Sequence, residues 1–183
     1  MARRPKKHIE RIENLRAKFW PDVTEDELWH RKKHDGFVSV PRTMPLIVSI
    51  IDDLTSGAPA GESYFELWCR AFDEMYVSLG NPEMHAYHAG FNGQRAKRTW
   101  QQRIDSLAEL GFIRTAEGVA GKHSHALILN PHVVLKRLKD KKTAGLTDAK
   151  YNALIERANE IGAGDVDIDP KAVKSVLDDE IPF

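Results

Sequence analysis

Residues 94–110 gather glutamine and arginine side chains at a spacing that could read base edges or grip phosphates. On a helix stepped from Trp100, residues Ala96, Ile104, Leu107 and Leu110 fall within about 80° of the indole. Gln94, Arg95, Arg98, Gln101, Gln102, Asp105 and Glu109 cover the opposite side. The outward positions of the first two turns are Gln and Arg, and those of the last two turns are acidic. A helix macrodipole favours the reverse order, carboxylates first and cations last. An external anion would account for the inversion. In the major groove Arg pairs with guanine O6 and N7 and Gln with adenine N6 and N7, and a reading helix enters N-terminus first. The plain alternative is a solvated helix face. Lys97, Arg103 and Arg114 lie nearer the boundary of the inward face, where phosphate contacts and internal ion pairs are equally open. Lys122, His123 and His125 follow on a hairpin pattern and could neutralise phosphates or serve as ordinary hairpin polarity. The basic run Lys136 to Lys142 reads as a solvated last helical turn that the dipole favours.

Other chemistries find little support. His30 and His34, His85 and His88, and His123 and His125 are closely spaced, but with one cysteine and no second ligand pair a closed structural zinc site is not expected. No phosphate-binding glycine loop, Gly-x-Ser-x-Gly elbow or His-Glu-x-x-His run is present. Asp52-Asp53 and Asp178-Asp179-Glu180 are adjacent carboxylates that point in different directions on a helix, so they make no dyad. The expectation is a protein without catalytic residues, metal or cofactor. Cys69, beside Trp68 and Phe72 in a helical pattern, reads as a buried, inert thiol.

The formal charge of the 183 residues is zero, yet its distribution is uneven. Residues 1–34 carry a net +4, residues 35–90 a net −6, residues 91–142 a net +7 and residues 143–183 a net −5. A basic block inside an acidic remainder suits a protein that presents one face to phosphates. It also suits acidic segments folded over basic ones. No apolar stretch approaches the roughly 20 residues of a membrane span, and no apolar leader follows the basic N-terminus, so a cytoplasmic protein is expected.

The elements that must position residues 94–110 follow from periodicity and caps. Ile9, Ile12, Leu15 and Phe19 predict an amphipathic helix stopping near Trp20-Pro21. Thr24 with Glu27 makes a capping box for a second short helix to about His34, ending at Gly36. Phe37 to Val40 alternates weakly, as a short strand would. Thr43 opens a helix with Leu46, Ile47, Ile50, Ile51 and Leu54, and Ser56 to Gly61 is a turn-rich link. Phe65, Trp68, Ala71, Phe72, Met75 and Leu79 predict one long helix with a broad apolar stripe, much more a core than a cofactor site. Asn81-Pro82-Glu83 starts a short helix ending at Gly90, and Gly90 to Gly93 is a turn. The helix from Gln94 ends at Leu110, with Gly111 after it. Phe112 to Thr115 and Ala126 to Leu129 are strands around a Glu117 to Lys122 loop. Pro131 opens a helix into the Lys136 to Lys142 run, and Thr147 caps a last helix closed by Gly162. Residues 165–183 read as an acidic, mobile tail with one helical turn near Val173 to Leu177.

The run from the glycine turn through Arg95-x-x-Arg98-Thr99-Trp100-x-x-Arg103-Ile104-x-x-Leu107-x-x-Leu110-Gly111-Phe112-Ile113 resembles the winged helix-turn-helix of bacterial transcription regulators and plasmid replication initiators. The resemblance covers about a third of the chain. It implies a supporting helix at Pro82 to Ala89, a recognition helix at Gln94 to Leu110 and a wing over Glu117 to His125. Two departures are a glycine-rich turn and an unusually long aromatic helix before the motif. A Val40 to Leu46 segment also resembles uncharacterised bacterial proteins and carries no role with it. Together these imply a mainly α chain: a winged helix-turn-helix core with a two-stranded wing and additional N- and C-terminal helices. The division expected is 1–36 as a basic extension, 37–142 as the elaborated core, 143–164 as a C-terminal helix and 165–183 as tail. Double-stranded DNA is the expected partner, with contacts from Gln94, Arg95, Lys97, Arg98, Gln101, Gln102, Lys122 and His123. A two-fold homodimer would be typical of a regulator reading a palindrome. A protein-docking module without a nucleic-acid role stands as the alternative, motivated by the zero net charge, and an enzyme comes third.

Overall fold

The computed structural model describes residues 6–164, which divide after Phe37 into two compact units. Among the described residues the chain is mainly helical, with seven helices and one three-stranded antiparallel sheet. None of these helices is long and apolar enough to cross a membrane. The acidic segment 165–183, its expected helical turn and its Asp178-Asp179-Glu180 cluster lie outside the described residues.

In the first unit, α1 (Lys6–Phe19) ends where expected but buries none of its residues. The second helix expected here does not form. Only half of the box forms: Glu27 Oε2 accepts from Thr24 N at 2.8 Å and from Thr24 Oγ1 at 3.0 Å, while the Glu27 amide goes to the Thr24 carbonyl rather than to the hydroxyl. Only turns follow. With its hydroxyl spent on Glu27, Thr24 caps no helical amide, and no continuous apolar stripe follows to offset the cost of helix nucleation. Residues 37–40 are likewise not a strand.

The second unit begins with α2 (Met44–Leu54) and α3 (Gly61–Arg70). Gly61 is required where the two helices meet. A Cβ there would stand 2.7 Å from a Val48 methyl and 2.9 Å from the Val48 carbonyl. Asp52 Oδ1 meanwhile accepts the Gly61 amide at 2.7 Å. Asp52 is thus a cap for α3, and Asp53 pairs with Lys150.

The long helix expected over residues 62–79 stops at Arg70. Its second half is a turn at Ala71–Met75 and a strand β1 (Tyr76–Ser78). Met75 takes a left-handed φ of 55°, which costs a non-glycine residue of order 1 kcal/mol and breaks helical continuation. What holds that break open is remote pairing: Tyr76 faces Leu127, Val77 faces Ala126 and Ser78 faces His125. The apparent helical stripe is therefore split: Trp68, Ala71 and Leu79 reach the core from α3, the turn and the end of β1, whereas Phe65 and Phe72 are exposed.

α4 (Pro82–His88), α5 (Ala96–Leu110), β2 (Ile113–Gly118), β3 (Gly121–Ile128), α6 (Pro131–Asp140) and α7 (Asp148–Ile161) complete the chain. The sheet order is β1-β3-β2, all antiparallel. The expected six-residue loop of the hairpin is shorter: β2 and β3 are joined at Val119-Ala120, with an irregularity between Ala116 and Gly118. The core joins Ile47, Ile50 and Ile51 of α2, Tyr64 and Leu67 of α3, Trp100, Ile104 and Leu107 of α5, Phe112 and Ile113, and Leu135 and Leu138 of α6. Leu154 of α7 closes it. Thr43 Oγ1 and the His132 ring, both buried and 2.8 Å apart, tie the starts of α2 and α6.

Candidate nucleic-acid interface

α4, the glycine turn, α5 and the β2–β3 hairpin form the surface that the sequence marks out. α4 starts as its residues dictate: Asn81 Oδ1 accepts the Met84 amide at 3.1 Å and Pro82 takes the first position. The turn needs Gly90 and Gly93, both left-handed at φ 81° and 83°, where side-chained residues would be strained. Between them the Phe91 amide returns to the Ala86 carbonyl at 2.9 Å and closes α4. α5 ends as predicted, with Gly111 at φ 83° and the Phe112 amide bonded to the Leu107 carbonyl at 3.0 Å, a Schellman-type stop.

Two contacts fix α4 against α5. The buried His85 ring stacks on the wholly buried Trp100 indole, 5.4 Å between centroids with an interplanar angle of 15°. His85 is itself held at both edges, Nδ1 standing 3.2 Å from Glu66 Oε1 of α3 and Nε2 3.1 Å from the Ser78 carbonyl of β1. A buried imidazole between two acceptors is costly to leave unmade, so the stack has one low-energy orientation. At the surface Lys97 Nζ meets Glu83 Oε1 at 2.8 Å. The hydrogen bond from Lys97 is the main cause that holds the Glu83 carboxyl below its ordinary range.

The helix begins two residues later than expected. Gln94 and Arg95 belong to the turn, with Arg95 at the N-cap position, no side-chain cap and no acid in the first turn. Gln94, Arg95, Arg98 and Gln102 are exposed on this side, and Gln101 is half-buried. Lys97 is exposed but tied to Glu83. Arg103 lies over the Phe91 ring at 5.8 Å with its Nε buried and unpartnered among the described residues. Arg114 is exposed on β2.

The hairpin residues are arranged differently from a row of free cations. Asp105, on the third turn of α5, meets Lys122 Nζ at 2.6 Å and His123 Nε2 at 3.1 Å. The His123 side chain is almost wholly covered, whereas Lys122 stays largely open to solvent beside its partner. His125 stands 2.8 Å from the Tyr76 hydroxyl. The carboxylate that the sequence marks as part of an acidic helix end is therefore a bracket for the hairpin. The eight-residue set divides in two: Gln94, Arg95, Arg98 and Gln102 stand open, while Lys97, Lys122 and His123 are held by carboxylates and Gln101 is partly covered.

Sequence reasoning misplaced Cys69, which is exposed on the outward side of α3. The helix turns Tyr64, Leu67 and Trp68 to the core and leaves Phe65 and Cys69 on its other side. Partial burial, with Glu66 adding to it, pushes the thiol above its ordinary range. No group of three or more metal-ligating side chains is found among the described residues.

Compared with family models, with curated proteins and with solved structures, the chain finds no match.

Proposed function

We propose that residues 61–128 are a winged helix-turn-helix and that the protein binds duplex DNA through it, as a transcriptional regulator or a replication initiator-like protein. The order helix, strand, helix, turn, helix, hairpin, with the first strand beside the last in a β1-β3-β2 sheet, supports the fold reading. α5 is then the helix that enters the major groove and β2–β3 the wing that follows the backbone. One observation carries the function: the leading end of α5 presents Gln94, Arg95, Arg98 and Gln102 to solvent, uncapped and without a carboxylate in the first turn. Arg98 and Gln102 are one helical turn apart, close enough to read neighbouring bases. Lys122 contributes charge to the backbone while anchored by Asp105.

Selection of bound duplexes from a random pool, at two salt concentrations, tests this directly. An enriched motif, with affinity falling steeply as salt rises, is the expected result. Arg95→Ala and Arg98→Ala each weaken binding of the selected duplex by a factor of about 5–150, equivalent to about 1–3 kcal/mol per bidentate contact. Affinity unchanged by both substitutions would falsify the proposal. A second reading, a protein-docking module or homodimer, draws on the apolar side chains that α1 leaves exposed, Ile9, Ile12, Leu15 and Phe19. It predicts self-association or a protein partner whose binding is flat to salt, with no enriched duplex.

A further inference from the structure

The Val40 to Leu46 segment, to which the sequence assigns no role, forms one wall of a groove of about 1170 Å³ in the second unit. The remaining walls are the outward side of α3, the end of α4 at His88 to Gly90, and Arg157 of α7. This is room for a whole small molecule, since ligand sites usually enclose about 300–1000 Å³. Met44, Val48 and Phe65 give the groove an apolar floor, and Phe65 is 42% exposed there, a large ring left open in a concavity. Trp68 fixes the near wall by donating Nε1–H to the Ser39 carbonyl at 3.0 Å.

The charges around that floor are only partly paired with one another. Arg42, Arg70 and Arg157 line it, against Glu62 and Glu66. Glu66 is already engaged by Arg70 and by His85, and Arg157 pairs with Glu160. Arg42 and Glu62 are both exposed, and neither side chain has a hydrogen bond or ion pair to another described residue; Glu62 stands at the Gly90 wall, and Arg42 is the cation left open. A guanidinium with its donors unused at the rim of an apolar hollow suits a planar carboxylate.

We infer that this groove binds a small amphipathic anion, an acyl or aromatic carboxylate whose apolar body covers Phe65 and Val48 and whose carboxylate is taken by Arg42. Arg70, whose guanidinium touches both Glu66 and His88, is the second cation within the site. It also gives the ligand a route inward. A carboxylate that draws Arg70 off Glu66 loosens the seat of His85, and His85 stacks on Trp100 at the heart of α5. The groove would then be an effector site for the helix proposed to read DNA. That coupling rests on the DNA reading, whereas ligand binding does not.

The test uses the full chain and three probes with one apolar body: octanoate, octanol and octylammonium, titrated by calorimetry. Octanoate is expected to saturate a single site, octanol to bind at least tenfold more weakly, and octylammonium not to bind. Two exposed positions supply the variants. Arg42→Ala should weaken octanoate about tenfold and bring it level with octanol, with Arg42→Lys recovering part of the loss, and Phe65→Glu should abolish binding. Circular dichroism checks that each variant is folded. Three outcomes overturn the inference: no saturable octanoate binding at millimolar concentration, a preference for octylammonium, or binding indifferent to both Arg42→Ala and Phe65→Glu. Duplex affinity measured with and without octanoate then tests the coupling alone, because a protein that binds octanoate but no DNA leaves the groove assignment standing.

Discussion

α1 and α5 are written in the same notation and end in opposite circumstances. Each carries apolar residues three and four apart with polar residues between them. α5 places Trp100, Ile104 and Leu107 in complete burial, while α1 leaves Ile9, Ile12, Leu15 and Phe19 exposed and buries nothing. Periodicity states that a helix has a face to bury; it does not state what buries it. For α5 the answer is inside the chain, from α3, α4 and the strands. For α1 no residue of its own unit buries the stripe.

The contrast can be broken most sharply by truncation in each helix. Trp100→Ala removes a fully buried indole and the surface on which His85 stacks, and should cost about 3–5 kcal/mol in chemical denaturation. Ile12→Ala should change stability by less than about 0.5 kcal/mol. A cost for Ile12→Ala that grows with protein concentration would mean that a second copy covers α1.

The outer faces differ as well, by a smaller margin. The polar side of α5 is bonded to another element through Asp105, while in the first unit Arg16 pairs with Glu25 at the exposed surface. Asp105→Ala should cost about 1 kcal/mol, since the carboxylate itself is partly exposed and only the His123 side of its double contact is covered. Amide exchange in residues 119–125 should quicken, while Glu25→Ala leaves stability unchanged. If the hairpin amides exchange as before, the carboxylate is not what holds it.

The smallest effect concerns α3, which has one packed side and one open side. The Cys69 thiol is raised by desolvation first and by the Glu66 charge second. A neighbouring negative charge disfavours the thiolate, so Glu66→Gln lowers the thiol's titration point. Alkylation by iodoacetamide near neutral pH should therefore run a few-fold faster in Glu66→Gln, with rates converging once the pH is high enough to ionise both thiols.

How much was legible in the sequence follows the same division. α4, α5, α6 and α7 were readable because their signals are local: Asn81-Pro82, Pro131 and Thr147 at the starts, Gly111 and Gly162 at the stops. The break at Ala71 to Met75 was not, because β1 owes its existence to partners about fifty residues later in β3, while the spacing of Trp68, Phe72, Met75 and Leu79 imitates a helix. Within the candidate surface, the open positions of Arg95 and Arg98 could be inferred from helical geometry alone. The engagement of Lys122 and His123 could not, since it depends on how far the hairpin folds back toward the third turn of α5. The groove was equally hidden, because four separate segments contribute to it.

The double contact of Asp105 has a practical side. One carboxylate, itself rooted between Ile104 and the rest of a packed helix, sets where the tip at Val119-Ala120 points. A helix and hairpin coupled through a shared side chain behave as a single rigid tool. Anyone grafting the helix onto another scaffold, or exchanging its outward residues, would have to move residues 96–125 as one cassette to preserve the spacing between helix and hairpin.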